Sequence, residues 1–226
     1  MTIRLDASLT SALLGQPETG MGYQFVEVTL KDRNLRRDIL VFNGQLAAES
    51  GGRIMVREGL DDVQRRRFEL ALKAPDGGVS LRVLMRAEAV KKGLLESREY
   101  RAEQAPASAG AIELSRYEER FLRYSAFTDD VRILPDGSVR PGTYVTTHED
   151  GMTHVATGMD AVRRYALPNP DPAVHRFHLG PPTPIPVRRG TVQPANNQPG
   201  GGAEVIFEVG APAGTRYKQD EIPPGA

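Results

Sequence analysis

Thr143-Tyr-Val-Thr-Thr147 and, far downstream, Gly200-Gly-Gly-Ala-Glu-Val-Ile-Phe-Glu-Val209 are the two stretches whose reading decides the fold. The first is β-branched and aromatic, the composition of a half-buried pleated surface. The second places an apolar strand, Glu204–Val209, directly after three glycines. Working outward, Phe121–Phe127 and Val174–Leu179 read as further strands, and Pro135-Asp-Gly137 as a turn. Glu113–Arg120 predicts a helical segment, and Gly158–Tyr165 a short helix ending near Pro168. Pro181–Pro186 is extended, and Gly190–Gly202 is a polar, glycine-rich loop.

Upstream, Leu5–Leu14 predicts a short helix capped by Asp6, which Gly15-Gln-Pro-Glu-Thr-Gly20 breaks. Within Tyr23–Leu30, Val26, Val28 and Leu30 alternate with Glu27 and Thr29, the period of a strand. Asp32-Arg-Asn34 turns the chain, Asp38–Phe42 is a second apolar run, and Asn43-Gly44 marks a hairpin. Phe68–Leu72 and Val79–Met85 alternate on either side of Pro75-Asp-Gly-Gly78, after a helical turn over 60–66. Residues 87–100 predict a helix weakened by Gly93. Small residues and proline in Glu103–Gly110 read as a linker. The expectation is an α+β protein of two small β-rich domains, residues 1–102 and 111–226, joined by 103–110.

Lys+Arg and Asp+Glu both number 29 in 226 residues, so no general basic field for nucleic acid or an anionic membrane is expected. The absence of cysteine excludes thiolate nucleophiles, disulfides and cysteine-based metal sites. Met1-Thr-Ile-Arg-Leu-Asp6 has no long apolar run behind its basic residue, so no signal peptide is expected, nor any membrane span.

No G-x-S-x-G elbow, P-loop or G-x-G-x-x-G is present. His175-x-x-His178 has a metal-like spacing, but positions i and i+3 of a strand point to opposite faces. His148 and His154 fall near a predicted loop. Three strands carry the remaining candidates: Arg123 on the first, Thr146 and Thr147 at the end of the next, with Tyr144 before them, and Glu204 on the last, behind Gly201 and Gly202.

This order of arginine, hydroxyl and glutamate strands resembles the ADP-ribosyltransferase-like fold, in which three such strands line an NAD cleft. The stretch from Gly142-Thr-Tyr-Val-Thr-Thr to Gly200-Gly-Gly-Ala-Glu-Val is similar to C-terminal domains of bacterial polymorphic toxins. Those include NAD-cleaving domains with a glycine-rich loop before the catalytic strand. The resemblance covers residues 115–226; the N-terminal half resembles only small uncharacterised bacterial domains. It implies a split β-sheet with short helices and a catalytic role for Glu204. Cleaving the nicotinamide–ribose bond builds oxocarbenium-like charge on the sugar, and a fixed carboxylate stabilises it most in the transition state. Arg123 would clamp the pyrophosphate, and Thr146 or Thr147 would hold the glutamate or the ribose. Tyr144 would stack on the nicotinamide, and Gly201 and Gly202 would let backbone approach the ligand.

NAD is then the substrate, with no metal. A protein acceptor or a cognate antitoxin or immunity protein would be a further partner. The place is the cytoplasm, or another cell reached by a route not encoded in a signal peptide. Arginine-modifying transferases carry an acid or amide two residues before the glutamate, where this chain has Gly202. The hydroxyl motif is Val-Thr-Thr rather than Ser-Thr-Ser/Thr. NAD hydrolysis, or transfer to another acceptor, fits better. A rival reading is a non-enzymatic interaction protein: an adaptor, an immunity-type partner or a phage-associated structural module offering strand edges and loops.

Overall fold

The computed structural model describes residues 2–4, 7–30, 36–42, 53–55, 79–84, 86–91, 104–168 and 171–226. It mixes helix and strand: antiparallel strands dominate and the helices are few and short. The alternating run Tyr23–Leu30 is β2, paired in register with β3 (Arg36–Phe42) and β5 (Val79–Leu84). With β1 (Thr2–Arg4) and β4 (Arg53–Met55) these form a sheet of order β1-β4-β3-β2-β5. Helices α1 (Ala7–Leu14) and α2 (Arg86–Lys91) accompany it. The turns and hairpins expected at 32–34, 43–44 and 75–78, the elements expected over 60–72 and the helix expected beyond Lys91 lie outside the described residues.

A seven-stranded antiparallel sheet has the order β12-β9-β7-β8-β11-β10-β6. Its strands are β6 (Glu113–Leu114), β7 (Phe121–Ser125), β8 (Thr143–Thr147), β9 (His175–Leu179), β10 (Pro186–Thr191), β11 (Ala203–Phe207) and β12 (Arg216–Glu221). Strand β8 changes partner along its length. Its last two residues pair with β7, Thr147 with Phe121 and Thr146 with Leu122. Its first three pair instead with β11, Thr143 with Phe207, Tyr144 with Ile206 and Val145 with Val205. The sheet is therefore split between β7 and β8 beside Tyr144.

Period-two alternation gives each strand two faces. Phe121, Val145, Phe177, Leu179, Val205 and Phe207 form one apolar cluster. Leu122, Tyr124, Tyr144 and Ile206 belong to the other, beneath Val155, Ala161 and Val162. Those last residues lie in or beside helices α3 (His148–His154) and α4 (Gly158–Arg164). Thr147 caps α3 by accepting the Asp150 N–H, and Thr157 and Asp160 form a capping box on α4. The loop expected at His148 is thus a capped helix.

One further expectation is corrected. Glu113–Arg120 is not helical: Glu113 and Leu114 pair with Val187 and Pro186, and Glu118 has φ 58°. Strand pairing and a left-handed backbone override a helix-forming composition. The 104–110 stretch is packed. Ala107 is fully buried, Ala107–Ala109 forms a 3-10 turn, and Thr191 donates its N–H to the Ala105 carbonyl at 2.8 Å. One apolar cluster spans the expected boundary, joining Met21, Tyr23, Phe25 and Ala89 to Leu122, Tyr144 and Ile206.

Candidate functional site

Charge is costly to bury, so buried ionic groups mark the unusual places of a fold. Arg123 and Arg132 are fully buried, as is Glu18, and Asp130 is 4% exposed. Formally the two guanidiniums and two carboxylates cancel. Arg123 Nε donates to Asp130 Oδ2 at 2.7 Å. Its two terminal nitrogens grip both oxygens of Glu18, at 3.0 and 2.9 Å, and one of them also donates to the Tyr144 carbonyl at 2.7 Å. Burial pulls the Arg123 pKa down, but Asp130 and Glu18 outweigh it and hold the guanidinium above its ordinary value. Arg132 donates to the Leu14 and Gln16 carbonyls and to Thr143 Oγ1. Burial lowers its pKa, and Glu18 opposes the shift.

Glu18 reaches this cluster from the segment between α1 and β2. It sits in the split of the sheet and accepts the Tyr144 N–H at 2.8 Å. Its own N–H donates to the Gly142 carbonyl at 3.1 Å. The segment is tied into a loop by Gln24, whose amide donates to the carbonyls of Leu13, Gln16 and Pro17. Gly142 has φ +69°, and a Cβ there would lie 2.3 Å from Pro17 Cβ, so the approach needs glycine twice over.

The other face carries Glu204, Thr146 and Tyr144. Thr146 and Glu204 lie one residue beyond the last β8–β11 pair, Val145 with Val205. Glu204 is 3% exposed and accepts the Ala107 N–H at 2.8 Å, so the 104–110 stretch lies over it. Thr146 donates to Asp150 on α3 at 3.4 Å. Asp150 also accepts from Arg164 Nε at 2.9 Å and from the Tyr165 hydroxyl at 3.0 Å. Burial would raise the Asp150 pKa, but the Arg164 and Tyr165 hydrogen bonds outweigh it and hold the carboxyl below its usual range. Tyr165 stacks on Tyr124 at 5.4 Å, and burial pushes the Tyr124 hydroxyl up to about 12.

A depressed carboxyl pKa stabilises the fold above the unfolded-state value, and that contribution is lost as pH falls through the folded one. Asp150→Asn is therefore expected to cost about 1–2 kcal/mol at neutral pH. It should also make the urea midpoint less sensitive to acid below about pH 4. A variant with the wild-type acid dependence would refute this role for Asp150.

A pocket of about 260 Å³ opens on the same face as Glu204. Tyr144, Ile206 and Pro141 line it, with Glu18, Ser108 and the Arg188–Glu208 ion pair. Glu204 lies two residues before Ile206 on β11, about 7 Å along the strand.

No family model matches this chain, and no curated protein or solved structure matches it significantly. Function must be argued from the residues in place. The structure brings Tyr144, Thr146 and Glu204 to one face. Arg123 and Thr147 alternate onto the other: Arg123 is spent in the buried ion cluster, and Thr147 caps α3. Gly201 has φ +94°, which favours glycine. Gly202 lies under the Tyr165 ring, 2.6 Å from a Cβ built there, so its smallness serves packing within the chain.

Sequence reasoning passed over Glu18, Asp130, Arg132 and Asp150. Nothing in Pro17-Glu-Thr19 marks its acid, because the partner Arg123 is 105 residues away. A second polar group sits at the β9–β12 end. Asp220 accepts from Arg176 at 2.9 Å and lies 3.1 Å from His178 Nε2. Burial lowers the His178 pKa, and Asp220 opposes it. His175 meets Glu221 instead, so the two histidines do not share a site. Among the described residues no three His, Cys, Asp or Glu side chains are grouped to hold a metal, and no helix is long and apolar enough to cross a membrane.

Proposed function

We propose that the 111–226 part of this chain is an NAD-cleaving domain of the ADP-ribosyltransferase-like kind, with Glu204 as the carboxylate beside the ribose. The observation that carries the reading is the placement of Thr146 and Glu204 on the adjacent strands β8 and β11, each one residue beyond the paired Val145 and Val205, near Tyr144 and its pocket. The arginine, hydroxyl and glutamate strands are consecutive neighbours β7-β8-β11, and the sheet divides between the first two. Glu204 would stabilise the cationic sugar, Thr146 would hold the carboxylate or the ribose hydroxyls, and Tyr144 would flank the nicotinamide. With Gly202 two residues before Glu204, water or an acceptor other than arginine takes the ADP-ribose.

The pocket is below the ~300–1,000 Å³ that drug-sized ligands fill, so it takes part of a dinucleotide and not the whole. The test is NAD consumption by the purified full chain, followed chromatographically. Glu204→Gln keeps an acceptor for Ala107 and removes the charge. It is expected to cut turnover by about 10²-fold or more while melting as the wild type does. Folded wild type and folded Glu18→Gln that both leave NAD intact through long incubation would overturn the reading.

A second reading, the non-enzymatic interaction protein, is favoured by the side chain of Arg123 leaving the sheet on the face opposite Glu204. It is also favoured by the outer strand β6 and its flanks, where Ile112, Leu114 and Tyr117 are 54%, 67% and 70% exposed. Such an edge suits an added strand from a partner.

A further inference from the structure

Two charged residues, Arg123 on β7 and Glu204 on β11, are both covered, and both covers come from residues 1–110. Glu18 caps Arg123, and Ala107 caps Glu204. The shell around the Glu18 carboxylate is that of a bound anion: the fork of Arg123, the Tyr144 N–H, and the Gly22 N–H at 3.0 Å. The fork and the Tyr144 N–H belong to the split in the sheet. At Tyr144 strand β8 has turned to β11, so β7 does not compete for this N–H. A guanidinium fork beside a backbone N–H is a general receptor for carboxylate or phosphate. Glu18 also lines the pocket, so moving it away would carry the pocket through to Arg123.

We infer that the segment Gly15–Phe25 is a tethered competitor that holds this anion site shut, with Glu18 standing where a diphosphate oxygen of the ligand would bind. The inference rests on the NAD reading for the ligand's identity and on geometry for the occlusion. Tethering gives the carboxylate an effective concentration of about millimolar or more. Met21, Tyr23 and Phe25 add apolar anchorage in the same cluster as Tyr144. A ligand then binds with its intrinsic affinity reduced by the fraction of chains in which the segment is displaced. Full occupancy of the site requires that the segment yield, and Arg123 then exchanges one carboxylate for another anion at little electrostatic cost.

The probe is inorganic pyrophosphate, titrated calorimetrically into the full-length chain. Glu18→Gln keeps one acceptor oxygen, enough for the Tyr144 N–H and one Arg123 N–H, and Asp130 still pairs the arginine. It is expected to bind pyrophosphate at least about tenfold more tightly than wild type, and Arg123→Gln in that background should abolish the gain. A folded Glu18→Gln chain with wild-type affinity overturns the inference. Hydrogen exchange on the unmodified chain is the second measurement. Residues 15–25 should exchange faster with millimolar pyrophosphate present, and unchanged or slower exchange overturns the inference too. If Glu18→Gln gains pyrophosphate but consumes no NAD, the occlusion stands and the NAD reading falls. If wild type consumes NAD as fast as Glu18→Gln, the occlusion falls and the NAD reading stands.

Discussion

Arg123→Ala is expected to cost about 3–5 kcal/mol in urea unfolding, the scale for removing one member of a buried ion pair. The guanidinium is fully buried and bonded to Glu18, Asp130 and the Tyr144 carbonyl. Its removal takes the paired guanidinium from two carboxylates and a donor from a carbonyl that water cannot easily reach. The loss spreads beyond β7, because Glu18 is what pins the Gly15–Phe25 segment to the split in the sheet. The cost belongs to broken pairing and not to charge as such. Replacing both partners, Arg123→Met with Glu18→Leu, should therefore recover much of the loss, since apolar replacement of a buried pair is often close to neutral. A single-variant loss below about 1 kcal/mol, the scale of a surface pair, would show that the cluster is loosely held.

The strands that announce themselves in the sequence are those whose side chains alternate or are β-branched. Tyr23–Leu30 and Thr143–Thr147 are strands with the expected ends. Arg216–Glu221 gives no such signal: its residues are all polar or aromatic, and pairing with β9 makes it a strand. Pro186–Thr191 hides in the same way behind a proline, two arginines and a glycine, although it pairs β11 along its length. Both cases show tertiary pairing deciding what local composition leaves open.

At the site, residue types were legible and faces were not. Alternation says that Arg123 and Leu122 oppose each other, but only the neighbours in space tell which face a cleft occupies. The β8–β11 pairing leaves Thr146 and Glu204 just beyond the Val145–Val205 pair, and alternation along β7 sends Arg123 to the side of Phe121. Glu18 had no local signal, since its meaning lies wholly in a contact across half the chain.

The second large effect is expected at Gly190. It pairs with Glu204 across β10 and β11, and its open side faces the 104–110 stretch. A Cβ there would sit 2.2 Å from the Ala107 nitrogen, 2.4 Å from the Pro106 carbonyl carbon and 2.5 Å from the Ala105 oxygen. All three are backbone atoms, so no side-chain rotation relieves the clash. Gly190→Val must lift the stretch away, breaking the Thr191 N–H to Ala105 bond and the Ala107 N–H to Glu204 bond. Overpacking costs about 1–3 kcal/mol, and loss of the Ala107 hydrogen bond to the buried carboxylate adds about 1–3 kcal/mol. Gly180→Ala is the control, because its nearest neighbour is the Tyr217 ring at 3.3 Å, a side chain that can shift. Elastase, which cuts after small residues, should cleave at Ala105–Ala109 in Gly190→Val and spare that stretch in the control. Equal melting and equal protection in the two variants would mean that the 104–110 stretch does not depend on this close approach, and that Glu204 is held by something else.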